Sequence, residues 1–165
     1  MNYTIQAVED ALITRIVAQV SYLKTGSLKT IPLDFKMDTL SQQVVHRRPS
    51  VLVGFEGMEN DISQTDRQQD FYVWREDYRW VLFLIATSFR SVEKVVRGDD
   101  TVKGGYDLVY DVTSAVSGII LLAGMTPVTV LSVGLQAHKP GVVIYRVDMT
   151  CGQDRSRAAT ACDVA

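Results

Sequence analysis

The sequence predicts a single α+β domain, with a mainly antiparallel or mixed sheet of four to five strands covered by two main helices. Three observations carry this. The chain has 165 residues of which 47% are apolar, enough to build one core without metal or disulfide support. Apolar spacing of three and four recurs in two segments, and alternating or continuous apolar runs occur in several others. Helices and strands are interspersed without the regular alternation of a parallel βαβ array, which suits helices covering an antiparallel or mixed sheet.

The first helix is predicted from Ile5 to Leu23, where Ile5, Val8, Leu12, Ile16, Val20 and Leu23 return at helical intervals and Gln6, Glu9, Arg15 and Gln19 occupy other faces. Glu9 and Asp10 lie toward its positive end, Lys24 lies at its negative end, and Gly26 supplies a stop. An irregular stretch with Pro32 follows, then a short helix from about Thr39 to Arg47. Pro49 to Gly57, "PSVLVGFEG", reads as a strand opened by proline and closed by glycine. Met58 to Gln69 is polar and patternless and reads as a mobile loop.

"DYRWVLFLIATSF", residues 77–89, is the most apolar run. A bilayer-spanning helix needs about 20 mainly apolar residues, and Arg79 and Arg90 bound this one well short of that. Its length and its aromatic and β-branched content suit a strand buried on both faces. Phe71 to Phe89 has strand-like composition throughout, broken by Arg75, Glu76 and Asp77, which leaves one bent strand or a hairpin open. Arg90 to Gly105 is a polar connection.

The second main helix runs from Tyr106 to Leu122, through Tyr106, Val109, Val112, Val116 and Ile120, with Gly104-Gly105 before it and Gly124 after it. Leu108, Ala115 and Ile119 make its other side apolar as well, which implies contact on two sides: the sheet, and either a neighbouring element or another subunit. Leu131, Val133 and Leu135 alternate before Lys139-Pro140-Gly141, and Val143, Tyr145, Val147 and Met149 alternate after it. This is the clearest hairpin in the chain. The domain is thus bounded at residues 1–150. The segment 151–165 carries too little bulk to bury itself and is a tail that a partner subunit orders.

Charge and motif content exclude several classes. A net charge of -2 and a pI near 5.6 do not suit a protein that coats nucleic acid, which needs a Lys/Arg excess. The N-terminus has Glu9 and Asp10 where a secretory signal would carry its apolar core. Cys151 and Cys162 are too few for a disulfide framework or a four-cysteine zinc site and read as free thiols of a reducing cytoplasm. His46 and His138 belong to no metal or nucleophile motif. Gly104-Gly105 lacks the dinucleotide and P-loop patterns.

Asp107 and Asp111 share a helix face at i and i+4. Acids in a first turn are explained by the helix dipole, but with Glu56 they are the residues a small enzyme or ligand-binding domain would use. Glu56, Glu59 and Asp61 lack the ligand spacing of a calcium loop. Trp74, Tyr78 and Trp80 suit sheet packing or a protein interface better than base stacking. Tyr72, Trp74, Arg75, Asp77 and Tyr78, aromatic residues bordering a charged triplet, are the candidate oligomer interface. No catalytic, metal-binding or cofactor-binding residue is assigned.

Three segments in order, "AVEDALITRI" (Ala7 to Ile16), "RPSVLVGFEGM" (Arg48 to Met58) and "GGYDLVYDV" (Gly104 to Val112), resemble the Mu-like phage and prophage tail-completion protein family, similar to phage tail terminators. The likeness covers most of residues 5–150. It implies a non-enzymatic virion protein without a cofactor, assembled in the host bacterial cytoplasm. Such a protein forms a homo-oligomeric ring, usually a hexamer, at the head-proximal end of the tail. It stops tube and sheath polymerisation and meets the neck or connector proteins, DNA passing through the ring without specific binding and no membrane being involved. A head–tail connector or neck protein is the nearest alternative.

Overall fold

A computed structural model of the chain describes residues 2–31, 49–68, 71–87, 92–99 and 102–158, with backbone only for 25, 61–68, 71–72, 92, 94, 99, 102 and 156–158. Helix α1 spans Ile5–Gln19. A 3-10 turn at Thr25–Ser27 leads to β1, Leu28–Thr30, and then come β2, Ser50–Gln68, and β3, Phe71–Thr87. A short helix α2, Val92–Arg97, precedes the two-residue strands β4, Gly98–Asp99, and β5, Val102–Lys103. Helix α3 spans Gly105–Val116, and β6, Thr129–Lys139, and β7, Val142–Ala158, complete the order.

The main sheet is five-stranded, in the order β1-β2-β3-β7-β6. Only the β1–β2 pair is parallel, so the sheet is mixed, as expected. The apolar run lies in its central strand. Trp80, Leu82, Leu84 and Ala86 join the core beneath the helices, while Ile85, with Phe83 against it, faces the other side, with Ile31, Leu52 and Ile144. A strand with neighbours on both edges and cover on both faces is the environment that tolerates an unbroken apolar sequence.

The helices lie on one face. Thr4 caps α1, its hydroxyl accepting from the Ala7 N–H at 3.1 Å, and Val8, Leu12 and Ile16 present one fully buried stripe. The helix stops at Gln19, earlier than its apolar spacing suggests, and Val20 and Leu23 are buried in the turn that follows. In α3 the buried line is Leu108, Val112, Ala115 and Val116, drawn from both of the sides read as apolar. Arg15 ties the helices together by donating to the Ala115 carbonyl at 3.0 Å. Gly105 is required where α3 meets the sheet, because a Cβ there would lie 2.7 Å from Tyr145 and 2.9 Å from Val143. Helix α3 ends at Val116 and not Leu122. Gly118, at φ +73°, turns the chain away, and its N–H donates to the Val128 carbonyl.

Other boundaries also differ from the sequence reading. Met58 to Gln69 was expected as a mobile loop, yet through Gln68 it is the outer half of β2, paired with Phe71–Tyr78 of β3 across one irregularity between Asp61 and Asp66. Its polarity reflects its place as the edge strand of a three-stranded extension outside the core, where alternation has no apolar side to fill. Phe71–Thr87 is one continuous strand. The polar connection 90–105 contains α2, β4 and β5. Strand β7 runs across position 151 to Ala158, paired with β3 as far as Phe71, so the chain's own sheet orders residues 151–158. The helix expected at Thr39–Arg47 lies outside the described residues.

Candidate interaction surfaces

Beyond the last apolar core rows at Tyr78 and Cys151, strands β2, β3 and β7 continue together toward Gln68, Phe71 and Ala158. From Glu76 to Phe71 this adds about 17 Å of three-stranded arm, at about 3.4 Å per residue. The arm is fixed at its root by buried polar groups. Gln153 lies in the core, its Oε1 accepting from the Tyr3 N–H at 2.9 Å and its Nε2 donating to the Tyr3 carbonyl at 3.0 Å and to the Tyr78 hydroxyl. The Tyr78 hydroxyl donates to Glu76 at 2.9 Å, the Trp74 indole donates to the other Glu76 oxygen at 3.3 Å, and Arg155 Nε pairs with Glu76 at 2.5 Å. Burial is the main cause that raises the Tyr78 phenol, and the Arg155 hydrogen bond opposes it.

This geometry places the five candidate interface residues. Tyr78 is fully buried and acts from inside the root. Trp74, Arg75 and Asp77 are half-buried on the arm, and Tyr72 sits further out on β3, opposite Arg157 and Arg67, its side chain outside the described residues. Arg75 pairs with Asp77 at 3.1 Å and reaches Asp154 at 4.0 Å. They cross β7 at Gly152, where a Cβ would collide with the Asp77 carboxylate and the Glu76 carbonyl. Arg79 with Glu59 at 2.8 Å, and Arg146 with Glu56 and Asp148, each at 2.7 Å, continue a ladder of ion pairs along the face turned away from the helices.

The three acids considered for chemistry do not converge. Glu56 is on that far face with Arg146, whereas Asp107 and Asp111 are on α3, across the sheet. Asp107 accepts from the Gly104 N–H at 3.1 Å, a helix-start contact. Asp111 accepts from the Tyr22 hydroxyl at 2.9 Å and stands 4.0 Å from Lys103, at an open cleft of about 380 Å³ also lined by Gln19, Ser21 and Ser114. Burial and then Asp111 raise the Tyr22 phenol above its usual range. Among the described residues no three His, Cys, Asp or Glu side chains are grouped to hold a metal, and no helix is long and apolar enough to cross a membrane. Cys151 is buried, and burial pushes its thiol up to about 11.

A surface missed in the sequence lies at the sheet flank. Strand β6 is the last strand, and Leu131, Val133 and Leu135, which alternate as a hairpin strand should, are exposed. Tyr106 and Tyr110 on α3 are exposed as well, although Tyr106 begins the helical apolar series. Apolar alternation marks a strand with one apolar face. It does not say whether the fold buries that face, and here β6 leaves it exposed.

The model of the family described as Bacteriophage Mu, Gp37 matches residues 4–151. No curated protein matches the chain.

Proposed function

Because the chain belongs to the Bacteriophage Mu Gp37 family, and is on that ground a phage structural protein, we propose that it is the tail terminator of a Mu-like phage or prophage. In this reading copies of the chain close into a ring, of six subunits, at the head-proximal end of the tail. The ring ends polymerisation of tube and sheath and offers its other side to neck proteins, with DNA passing through the opening. The work is done by shape and association, without catalysis.

The observation that carries this reading is the division of the molecule's surface. A closed ring needs a heterologous contact, in which one patch meets a different patch on the next copy. The arm bearing Trp74, Arg75 and Asp77 lies at one end of the strands, and the apolar β6 flank lies at the side of the body. The root network of Glu76, Tyr78, Gln153 and Arg155 holds the arm in one orientation, which a ring of fixed rotation needs. Electron microscopy of tails assembled without this protein tests the role: abnormally long tails are expected, and tails of normal length that fail only to join heads would instead identify a connector.

A further inference from the structure

Exposed apolar residues of β6 and α3 flank the buried Tyr145 and Val147 of β7. Leu135 of β6 is directly opposite Tyr145 of β7, and Val133 is opposite Val147. The Tyr145 ring lies 6.1 Å, centroid to centroid, from that of Tyr106, and Tyr110 is one turn further along α3. Leu135 is 60% exposed, Val133 45%, Tyr106 55% and Tyr110 72%. With Leu131 beside them they leave bare on the order of 600 Å² of largely apolar surface, at the upper end of the roughly 300–600 Å² of the largest patch on a typical monomer and approaching the roughly 800 Å² per partner of a stable interface.

We propose that this flank, Val133 and Leu135 of β6 with Tyr106 and Tyr110 of α3, is the surface on which a second copy of this chain docks. The proposal rests on the ring reading and assigns one half of its repeating contact. Area is the first argument for a protein surface here. The second is charge: from Thr129 to Lys139 the strand carries no acid, and its titratable residues, His138 and Lys139, are at the hairpin end, so the centre of the patch is neutral and suits an apolar partner surface. The third is the backbone. Register breaks between Val130 and Ser132 and between Leu135 and Ala137 interrupt the edge, which discourages indiscriminate strand addition. The contact is therefore made by side chains, with Tyr106 and Tyr110 as aromatic anchors.

Sedimentation velocity over a concentration series tests this, on the full chain alone and with preassembled tail tubes. The variants are Leu135→Glu and Tyr110→Ser, with the thermal melt of dilute protein as the folding control; both sites are exposed, so the melts should match the native one. The expected result is ring formation by the native chain and a shift of assembly to at least about tenfold higher concentration in each variant. If both variants close rings like the native chain while Trp74→Ala does not, this surface is wrong and the ring reading survives. Failure of the native chain to self-associate under either condition overturns both. Binding to a tube or neck protein that Leu135→Glu abolishes, with self-association intact, replaces the second copy by that partner.

Discussion

Gln153→Ala probes the root of the arm. The native amide is in the core and makes three hydrogen bonds, two of them to the N–H and carbonyl of Tyr3, 150 residues away in sequence. A hydrogen bond of this kind contributes about 1 kcal/mol net, and a buried group left unpaired costs about 1–3 kcal/mol. Part of the loss is recovered, because Arg155 Nη2 still donates to the Tyr3 carbonyl at 3.2 Å and to the Tyr78 hydroxyl at 3.3 Å. The expected destabilisation is about 2–3 kcal/mol, which for a chain of this length lowers Tm by roughly 5–10 °C. Urea unfolding followed through Trp74 and Trp80 measures it, since both are on β3. Gln153→Leu, which keeps the bulk but none of the bonds, should lose at least as much. A loss below about 0.5 kcal/mol in both variants would mean that solvent satisfies these groups equally well, and the root would not be a fixed joint.

Other expectations follow from single contacts. Gly105→Ala gains about 1 kcal/mol of helix propensity at most but drives a methyl into Tyr145 and Val143, so a net loss of about 1–2 kcal/mol is expected from overpacking; a stabilised variant would show that the helix is free to shift. Arg155→Met takes the ion partner from Glu76, whose side chain is only 7% exposed, and should cost about 1–3 kcal/mol, discounted from the fully buried case because Arg155 is 28% exposed. Cys151 should resist a thiol reagent in native buffer and react on unfolding, and rapid native-state labelling would contradict its burial. The phenols of Tyr22, Tyr78 and Tyr145 and the Cys151 thiol are all raised in the folded chain. The folded state therefore holds these protons more tightly than the unfolded state. Their contribution is complete below the ordinary values of 9.0 for the thiol and 10.0 for the phenols and is lost as pH climbs through the raised ones, so stability should fall steeply in alkali.

What the sequence disclosed was whatever repeats with a period. The stripe Val8, Leu12, Ile16 and the run from Trp80 to Ala86 each state their own environment, because burial on one helix face or on both sheet faces leaves no alternative pattern. The start of α3 was readable from two glycines for a reason that packing supplies. The arm was not readable. Its strands are held by pairing with one another and by a few polar side chains, so Met58 to Gln68 and Gly152 to Ala158 carry no apolar rhythm and look like loop and tail. Surface assignment ran into a different limit: Tyr78, in a segment that looks amphipathic, is inside, while Leu135, in a segment that looks like core, is outside. Only the order of strands in the sheet, which no local window contains, decides between them.

The placement of β7 between β3 and β6 has a consequence for how the protein is made. Strand β3 is finished at Thr87, but its second neighbour starts at Val142 and is not complete until Ala158. While the ribosome works through the intervening stretch, the greasiest strand of the molecule has one side unzipped. Closing so distant a pair is slow. Newly made chains therefore pass through an interval in which they can be captured by the wrong neighbour, and the ordered arm is among the last parts to appear.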